Sequence, residues 1–142
     1  MTIQAPTKSY TLASVAALVI GTVAYGIGLF NAEMALNEKG YYLITMLYGL
    51  FSMVSLQKTI RDKAQGIKNS SMYQTLSWAS SGLAIALLAL GLYNAELALS
   101  EKGFYAMAYV LSLFAAVTVQ KNVRDKDALA DDHNDQAEFI TE

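Results

Sequence analysis

Four long apolar stretches, separated by short polar segments, dominate the pattern along the chain. The first runs without a charged residue from position 10 to position 30, and the others occupy residues 41–56, 78–93 and 104–119. At about 1.5 Å of rise per residue, the first stretch forms a helix of about 30 Å, which matches the hydrocarbon core of a bilayer. The pattern therefore predicts an all-α integral membrane protein with four transmembrane helices.

The same pattern also shows an internal repeat. Residues 31–40 recur as residues 94–103, and between 28–63 and 91–126 the two copies are identical at 19 of 36 positions. We call residues 31–40 and 94–103 the crests, because each joins two apolar stretches. The chain is thus predicted to be two tandem, parallel-repeat helical hairpins, related by an axis along the membrane normal. The repeat also favours a retained first helix over a cleaved signal peptide, since its counterpart lies too late to be a signal.

These boundaries divide the chain into five parts. We expect an N-terminal lead (1–6), a first two-helix unit (7–63), a cytoplasmic linker (64–69), a second two-helix unit (70–126) and a tail (127–142). The tail contains six acidic residues and no lysine or arginine, which is typical of a disordered segment. Asn37, Ser100 and Ser71 are expected to be helix N-caps, because Asn and Ser favour that position.

The basic residues predict the orientation. Residues 57–63 and 120–126, which we call the basic islands, both follow the pattern Gln-Lys-x-x-Arg-Asp-Lys. Together with Lys8 and Lys68 they place eight of the ten basic residues on one side of the membrane. By the positive-inside rule, both termini and the linker are predicted to be cytoplasmic and the crests to face outward.

Two groups of polar residues are candidate functional positions. In the crests, Asn31 and Glu33 recur as Asn94 and Glu96, where a carboxylate can bind a cation or relay a proton. The alternative is that these acids lie in headgroup water or pair with a crest lysine. In the basic islands, the candidate contacts with anionic lipids or a protein partner are Lys58, Arg61, Lys63, Lys121, Arg124 and Lys126. Ordinary anchoring at the membrane surface also accounts for most of this charge.

Small residues indicate where helices can approach each other. Ala17, Gly21, Ala24 and Gly28 lie at helical spacing in the first stretch, and Gly82 and Ala86 form a small-xxx-small pair in the third. We expect these positions to pack within the bundle or between protomers.

Motifs for catalysis are missing from the sequence. The chain has no cysteine and one histidine, His133, which lies among the acids of the tail and makes a weak metal ligand at best. No phosphate-binding loop, dinucleotide fingerprint or hydrolase motif is present. We therefore expect no enzyme activity, no cofactor, no metal site and no nucleic-acid partner.

The crests and basic islands also carry a resemblance to a known family. Residues 28–33, 37–42 and 57–63, with their second copies, resemble the YiaA/YiaB two-helix inner-membrane family over roughly residues 7–126. The resemblance implies a multi-pass protein of the bacterial inner membrane, and it implies no reaction. We expect a homo-oligomeric membrane protein with a scaffolding or envelope-adaptation role, in contact with lipids and with an unidentified membrane or cytosolic protein. The alternative is a small transporter or channel with Glu33 and Glu96 in an outer vestibule.

Overall fold

The fold consists of four helices in a computed structural model that describes residues 6–141. Residues 1–5 of the predicted N-terminal lead and Glu142 of the predicted tail lie outside the described residues. The helices are α1 (Lys8–Asn31), α2 (Leu36–Ala64), α3 (Ser71–Asn94) and α4 (Leu99–Thr141). Each is long and apolar enough to cross a membrane. The prediction of an all-α fold with four spans is confirmed.

Helices from different repeats make the main contacts. The helix α1 packs chiefly against α4, α2 packs chiefly against α3, and α2 and α4 meet in the centre. The two helices of one hairpin touch each other much less. The α1–α4 pair and the α3–α2 pair are equivalent, because each joins the first helix of one repeat to the second helix of the other. The bundle therefore has approximate twofold symmetry about an axis between α2 and α4.

Close approach of the helices depends on glycine at equivalent positions. A Cβ at Gly28 would lie 2.8 Å from the Phe104 ring, and one at Gly91 would lie 2.7 Å from the Tyr41 ring. At Gly21 it would lie 2.5 Å from Ser112 Oγ. The predicted contact face of α1 is therefore confirmed at these glycines. Gly82 is different, since nothing lies within 4 Å of its Cβ position and the residue faces outward.

Buried tyrosines fill the centre of the bundle. The rings of Tyr42 and Tyr105, which are repeat equivalents, stack with their centroids 6.3 Å apart. The Tyr25 hydroxyl donates a hydrogen bond to the Tyr42 carbonyl at 2.8 Å, and the Tyr109 hydroxyl donates to the Thr45 carbonyl at 3.1 Å. Since a phenol buried without a partner is costly in an apolar interior, these bonds also determine how the helices align.

The helix starts differ from the expected N-caps. Ser70, not Ser71, caps α3, and its Oγ accepts a hydrogen bond from the Tyr73 amide. In the crests, the amide of Lys39 donates to the carbonyl of Ala35, which starts α2 at Leu36. The second crest starts α4 in the same way at Leu99. Asn37 and Ser100 therefore lie inside the first helical turn, and their assignment as caps was wrong.

The segment expected to be a disordered tail is helical. The helix α4 continues without a break from the membrane span through residues 127–141. The chain has no glycine or proline after Gly103, and Ala128, Leu129 and Ala130 are good helix formers. Because nothing in this sequence breaks the helix, the boundary drawn at residue 127 from charge is not a structural boundary.

Candidate functional site

A wide cavity opens at the crest end of the bundle, where the two crests lie side by side. It has a volume of about 1390 Å³ and is lined by equivalent residues of both repeats. Its acidic residues are Glu33, Glu38, Glu96 and Glu101, all of them exposed. Glu33 and Glu96, the repeated pair that the sequence singled out, thus line the same cavity.

Asn31 and Asn94 line this cavity as well. Their side-chain amides donate hydrogen bonds to carbonyls of their own helices, Asn31 to Ile27 at 3.0 Å and Asn94 to Leu90 at 2.9 Å. Each asparagine therefore uses its amide nitrogen to satisfy the end of its helix. The amide oxygen and the second N–H remain available to a ligand.

The crest lysine does not neutralise the neighbouring acid. Lys39 Nζ donates a hydrogen bond to the Phe30 carbonyl at 3.0 Å and lies 6.0 Å from the centroid of the Phe30 ring. Among residues 6–141, neither Glu33 nor Glu96 forms an ion pair. The expectation that a crest lysine pairs with these acids is therefore not met, and the carboxylates are available to a solute.

Aromatic rings form the floor of the cavity. Tyr41 and Tyr42 meet edge to face with centroids 5.3 Å apart, and their repeat equivalents Phe104 and Tyr105 do the same at 5.7 Å. The Tyr41 hydroxyl also donates a hydrogen bond to the Leu87 carbonyl of the other repeat. The floor therefore separates the cavity from the interior of the bundle and connects the two repeats.

The opposite end, which carries the basic islands, is held by a cluster of charged side chains. Asp62 accepts from Arg124 and from Lys58, both at 2.8 Å. Asp125, its repeat equivalent, accepts from Arg61 and from Lys121. We call these six side chains the ion-pair cluster. Each arginine pairs with the aspartate of the other repeat, so the island motif links the two hairpins.

The aspartates and arginines of the ion-pair cluster are largely buried and do not lie on the open surface. The side chains of Asp62 and Asp125 are only 4% and 9% exposed, and those of Arg61 and Arg124 are 14% and 24% exposed. A charge at such a position is costly to bury unless its partners satisfy it. The cluster therefore gives the Arg-Asp part of the island motif a structural role.

This finding divides the basic candidates into two groups. Lys58, Arg61, Lys121 and Arg124 hold the aspartates, whereas Lys63 and Lys126 are exposed and form no ion pair among the described residues. The second group has no counter-ion among the described residues, whereas the half-exposed Lys58 and Lys121 are already paired. Among the side chains that the structure describes, no group of histidine and acidic residues can hold a metal ion.

A layer of polar residues lies beneath the ion-pair cluster and was not predicted from the sequence. Asn122 donates a hydrogen bond to Ser14 at 3.1 Å, and the equivalent pair, Thr59 and Ser77, is linked at 3.4 Å. Ser14 and Ser77 occupy the same repeat position, as do Thr59 and Asn122. Their recurrence as polar residues near the ends of apolar stretches was the signal that could have identified them.

The repeated architecture matches a known family. The pattern of the yiaA/B two helix domain matches residues 10–62 and again residues 73–125. The chain belongs to this family. Its two copies of the domain are the two hairpins whose helices pair across the repeats, so the resemblance seen in the crests and basic islands is confirmed.

The chain is similar to membrane proteins of two bacteria. The Escherichia coli (strain K12) inner membrane protein YiaA is 54% identical over 117 residues, covering 82% of this chain and 81% of the relative. The Bacillus subtilis (strain 168) uncharacterized membrane protein YubF is 35% identical over 60 residues, covering 42% of this chain and 69% of the relative. No solved structure matches the chain.

Proposed function

We propose that the chain is a small, non-enzymatic transport protein of the bacterial inner membrane whose crest-end cavity receives a cationic solute. The four apolar helices and the similarity to an inner membrane protein of E. coli support this location. The positive-inside rule supports crests that face outward and termini that face the cytoplasm. The observation that carries the proposal is that Glu33 and Glu96, from separate repeats, line one cavity.

The charge at the crest end favours a cation. Four carboxylates line the cavity, and the lysines of the crests are not among its lining residues. Acidic groups on the walls of a concave site raise the local concentration of cations. The cavity is therefore an electrostatic trap for a positively charged solute.

The shape of the cavity favours an organic cation over a bare metal ion. Its volume of about 1390 Å³ far exceeds that of a single ion, and its acids do not converge into a group that can hold a metal among the described residues. Its floor consists of Tyr41, Tyr42, Phe104 and Tyr105. Aromatic faces attract alkylammonium groups, by about 0.5–2 kcal/mol each.

Passage across the membrane requires the floor to move. Tyr42 and Tyr105 are stacked and buried beneath the cavity, and the ion-pair cluster closes the opposite end. A solute in the cavity therefore meets two barriers, which both connect the repeats. Transport in this arrangement proceeds by a relative motion of the two hairpins, and not through a permanently open pore.

The test is uptake of tetraethylammonium into proteoliposomes that contain the full chain. Glu33→Gln combined with Glu96→Gln is expected to reduce uptake at least tenfold, with unchanged circular dichroism. Asp131→Asn combined with Asp132→Asn removes the same charge from the exposed part of α4 and serves as the control. Equal uptake by both variants, or no uptake by the unmodified protein, would contradict the proposal.

A structural role as a homo-oligomer is the second candidate. It is supported by large apolar residues at the crest end that are more than four-fifths exposed and occur as repeat equivalents: Phe30 with Tyr93, and Leu36 with Leu99. Residues of this kind at the membrane surface suit contact with lipid, with further copies of the chain or with another membrane protein. Mass measurement in a lipid nanodisc is expected to give a multimer, and a monomer alone would exclude this role.

A further inference from the structure

A second, smaller cavity lies where the linker connects α2 to α3. It has a volume of about 250 Å³ and is lined by Thr59, Lys63, Gly66, Ile67, Lys68, Asn69 and Gln74. It is at the end of the bundle opposite the crests, so it is separate from the cavity of the proposed transport function. Its lining combines two lysines with two side-chain amides, which are donors suited to an anion.

The linker is held in place by its own hydrogen bonds. Gly66 has a φ of +76°, which ends α2, and its amide donates to the Lys63 carbonyl at 3.2 Å. The amide of Ile67 donates to the Asp62 carbonyl at 2.8 Å, and together these bonds form a Schellman motif. The Asn69 side chain donates to the Asp62 carboxylate at 3.2 Å. The wall of the cavity is thus fixed by hydrogen bonds, one of which connects the linker to the ion-pair cluster.

The lysines of this cavity differ from the other basic residues of the islands. Lys58, Arg61, Lys121 and Arg124 already pair with aspartates. Lys63 and Lys68 form no ion pair with any described residue, although they line the same small space. An anion in this space is attracted to both ammonium groups, because neither has a counter-ion among the described residues.

The position of the cavity relative to the bilayer indicates the source of the anion. Lys63 lies seven residues beyond Leu56, the last residue of the second apolar stretch, which is about 10 Å along the helix. That distance reaches the headgroup region of the bilayer. Ile67, which lines the cavity, is half exposed, and the nearby Met72 is largely exposed, so both present apolar surface beside the cavity.

We propose that this cavity binds a phosphate group between Lys63 and Lys68, and that the phosphate belongs to the headgroup of an anionic phospholipid. Gln74 supplies an amide donor to the phosphate oxygens, and Asn69, whose amide donates to Asp62, holds the wall of the cavity in place. Among the described residues, the second repeat does not reproduce this site. Lys126, the repeat equivalent of Lys63, lies within the uninterrupted helix α4 and lines neither of the two cavities.

The repeat supplies a matched control for the test. Phosphatidylglycerol is titrated into the purified full chain in neutral detergent, and bound lipid is counted by native mass spectrometry. Lys63→Gln combined with Lys68→Gln is expected to weaken binding about 30-fold, which corresponds to about 1 kcal/mol for each lysine at about 1.4 kcal/mol per tenfold change. Lys8→Gln combined with Lys126→Gln removes the same charge at the same end and is expected to change binding less than twofold.

The outcomes separate a built site from general attraction. Equal weakening in both double variants would overturn the proposal, because it would show diffuse electrostatics only. A negative charge introduced as Gln74→Glu is expected to weaken binding as well, and unchanged binding in that variant would also contradict the site. Competition with inorganic phosphate distinguishes the source: lipid that resists displacement supports the headgroup assignment, whereas displacement at millimolar phosphate would replace it with free phosphate.

Discussion

Neutralising Asp62 tests whether the ion-pair cluster holds the two repeats together. Its side chain is 4% exposed and accepts hydrogen bonds from Lys58, Arg124 and Asn69. Asp62→Asn keeps the shape of the side chain and removes its charge. The guanidinium of Arg124, which is 24% exposed, then loses its counter-ion at the contact between α2 and α4.

Three reference values bound the expected loss of stability. Interhelical hydrogen bonds in membranes contribute about 0.6 kcal/mol on average. Removing one partner of a fully buried ion pair costs about 3–5 kcal/mol, and an exposed pair contributes about 0–1 kcal/mol. Lys58 is half exposed and adds little, whereas Arg124 is mostly buried. We therefore expect Asp62→Asn to lower the free energy of unfolding by about 2 kcal/mol.

The assay is reversible unfolding of the full chain by dodecyl sulfate in mixed micelles, followed by circular dichroism. Asp125→Asn, the equivalent change in the other repeat, is expected to cost somewhat less, because no counterpart of Asn69 contacts Asp125. In a double-mutant cycle with Arg124→Gln, Asp62→Asn is expected to show a coupling of about 1–2 kcal/mol. Asp131→Asn on the exposed part of α4 is the control. An effect of Asp62→Asn within about 0.5 kcal/mol of that control would refute the reasoning.

Two further predictions concern packing and orientation. Gly21→Ala is expected to destabilise the protein by about 1–3 kcal/mol in the same assay, because the new methyl group meets Ser112 at 2.5 Å, whereas Gly82→Ala is expected to be neutral; equal effects would contradict the packing of α1 on α4. The chain has no cysteine, so Ala35→Cys and Ala130→Cys each introduce a single label site. A membrane-impermeant maleimide added to intact cells is expected to label the first and not the second, and the reverse pattern would invert the proposed orientation.

The spans and the repeat were predictable because they depend on local properties of the sequence. A helix that crosses a bilayer needs a long apolar stretch, and the four stretches of this chain meet that requirement without reference to their neighbours. The two copies of the crest and of the basic island follow directly from sequence identity. These features do not depend on how the helices pack.

The pairing of the helices was not predictable in this way. Because the repeats are so alike, α1 could pack on its own hairpin partner or on the helix of the other repeat with similar apolar surfaces. The choice depends on three-dimensional matches such as Gly21 with Ser112 and Asp62 with Arg124, which lie far apart in sequence. The island motif was recognisable as a motif, but its reciprocal pairing was not.

The two candidate sites were likewise only partly predictable from the sequence. Glu33 and Glu96 were recognised from their polar positions in the crests and were placed together in one alternative, but the volume of the cavity and its aromatic floor come only from the structure. The caps were misplaced because Ala35 starts its helix through a backbone carbonyl, which leaves no side-chain signal. The second cavity depends on a Schellman motif at Gly66 and on the position of Lys68, which only the folded linker determines.

The pairing of helices across the repeats has a consequence for how the protein is made. Of the four helices, α1 leaves the ribosome before the others, but its main partner, α4, leaves it after the other three. Until then Gly21 faces lipid and Arg61 has no aspartate from the second repeat to bind. The first hairpin must therefore remain in the bilayer as an incomplete half. Premature termination after the linker leaves that half with its polar surface uncovered, a state that quality-control proteases can recognise.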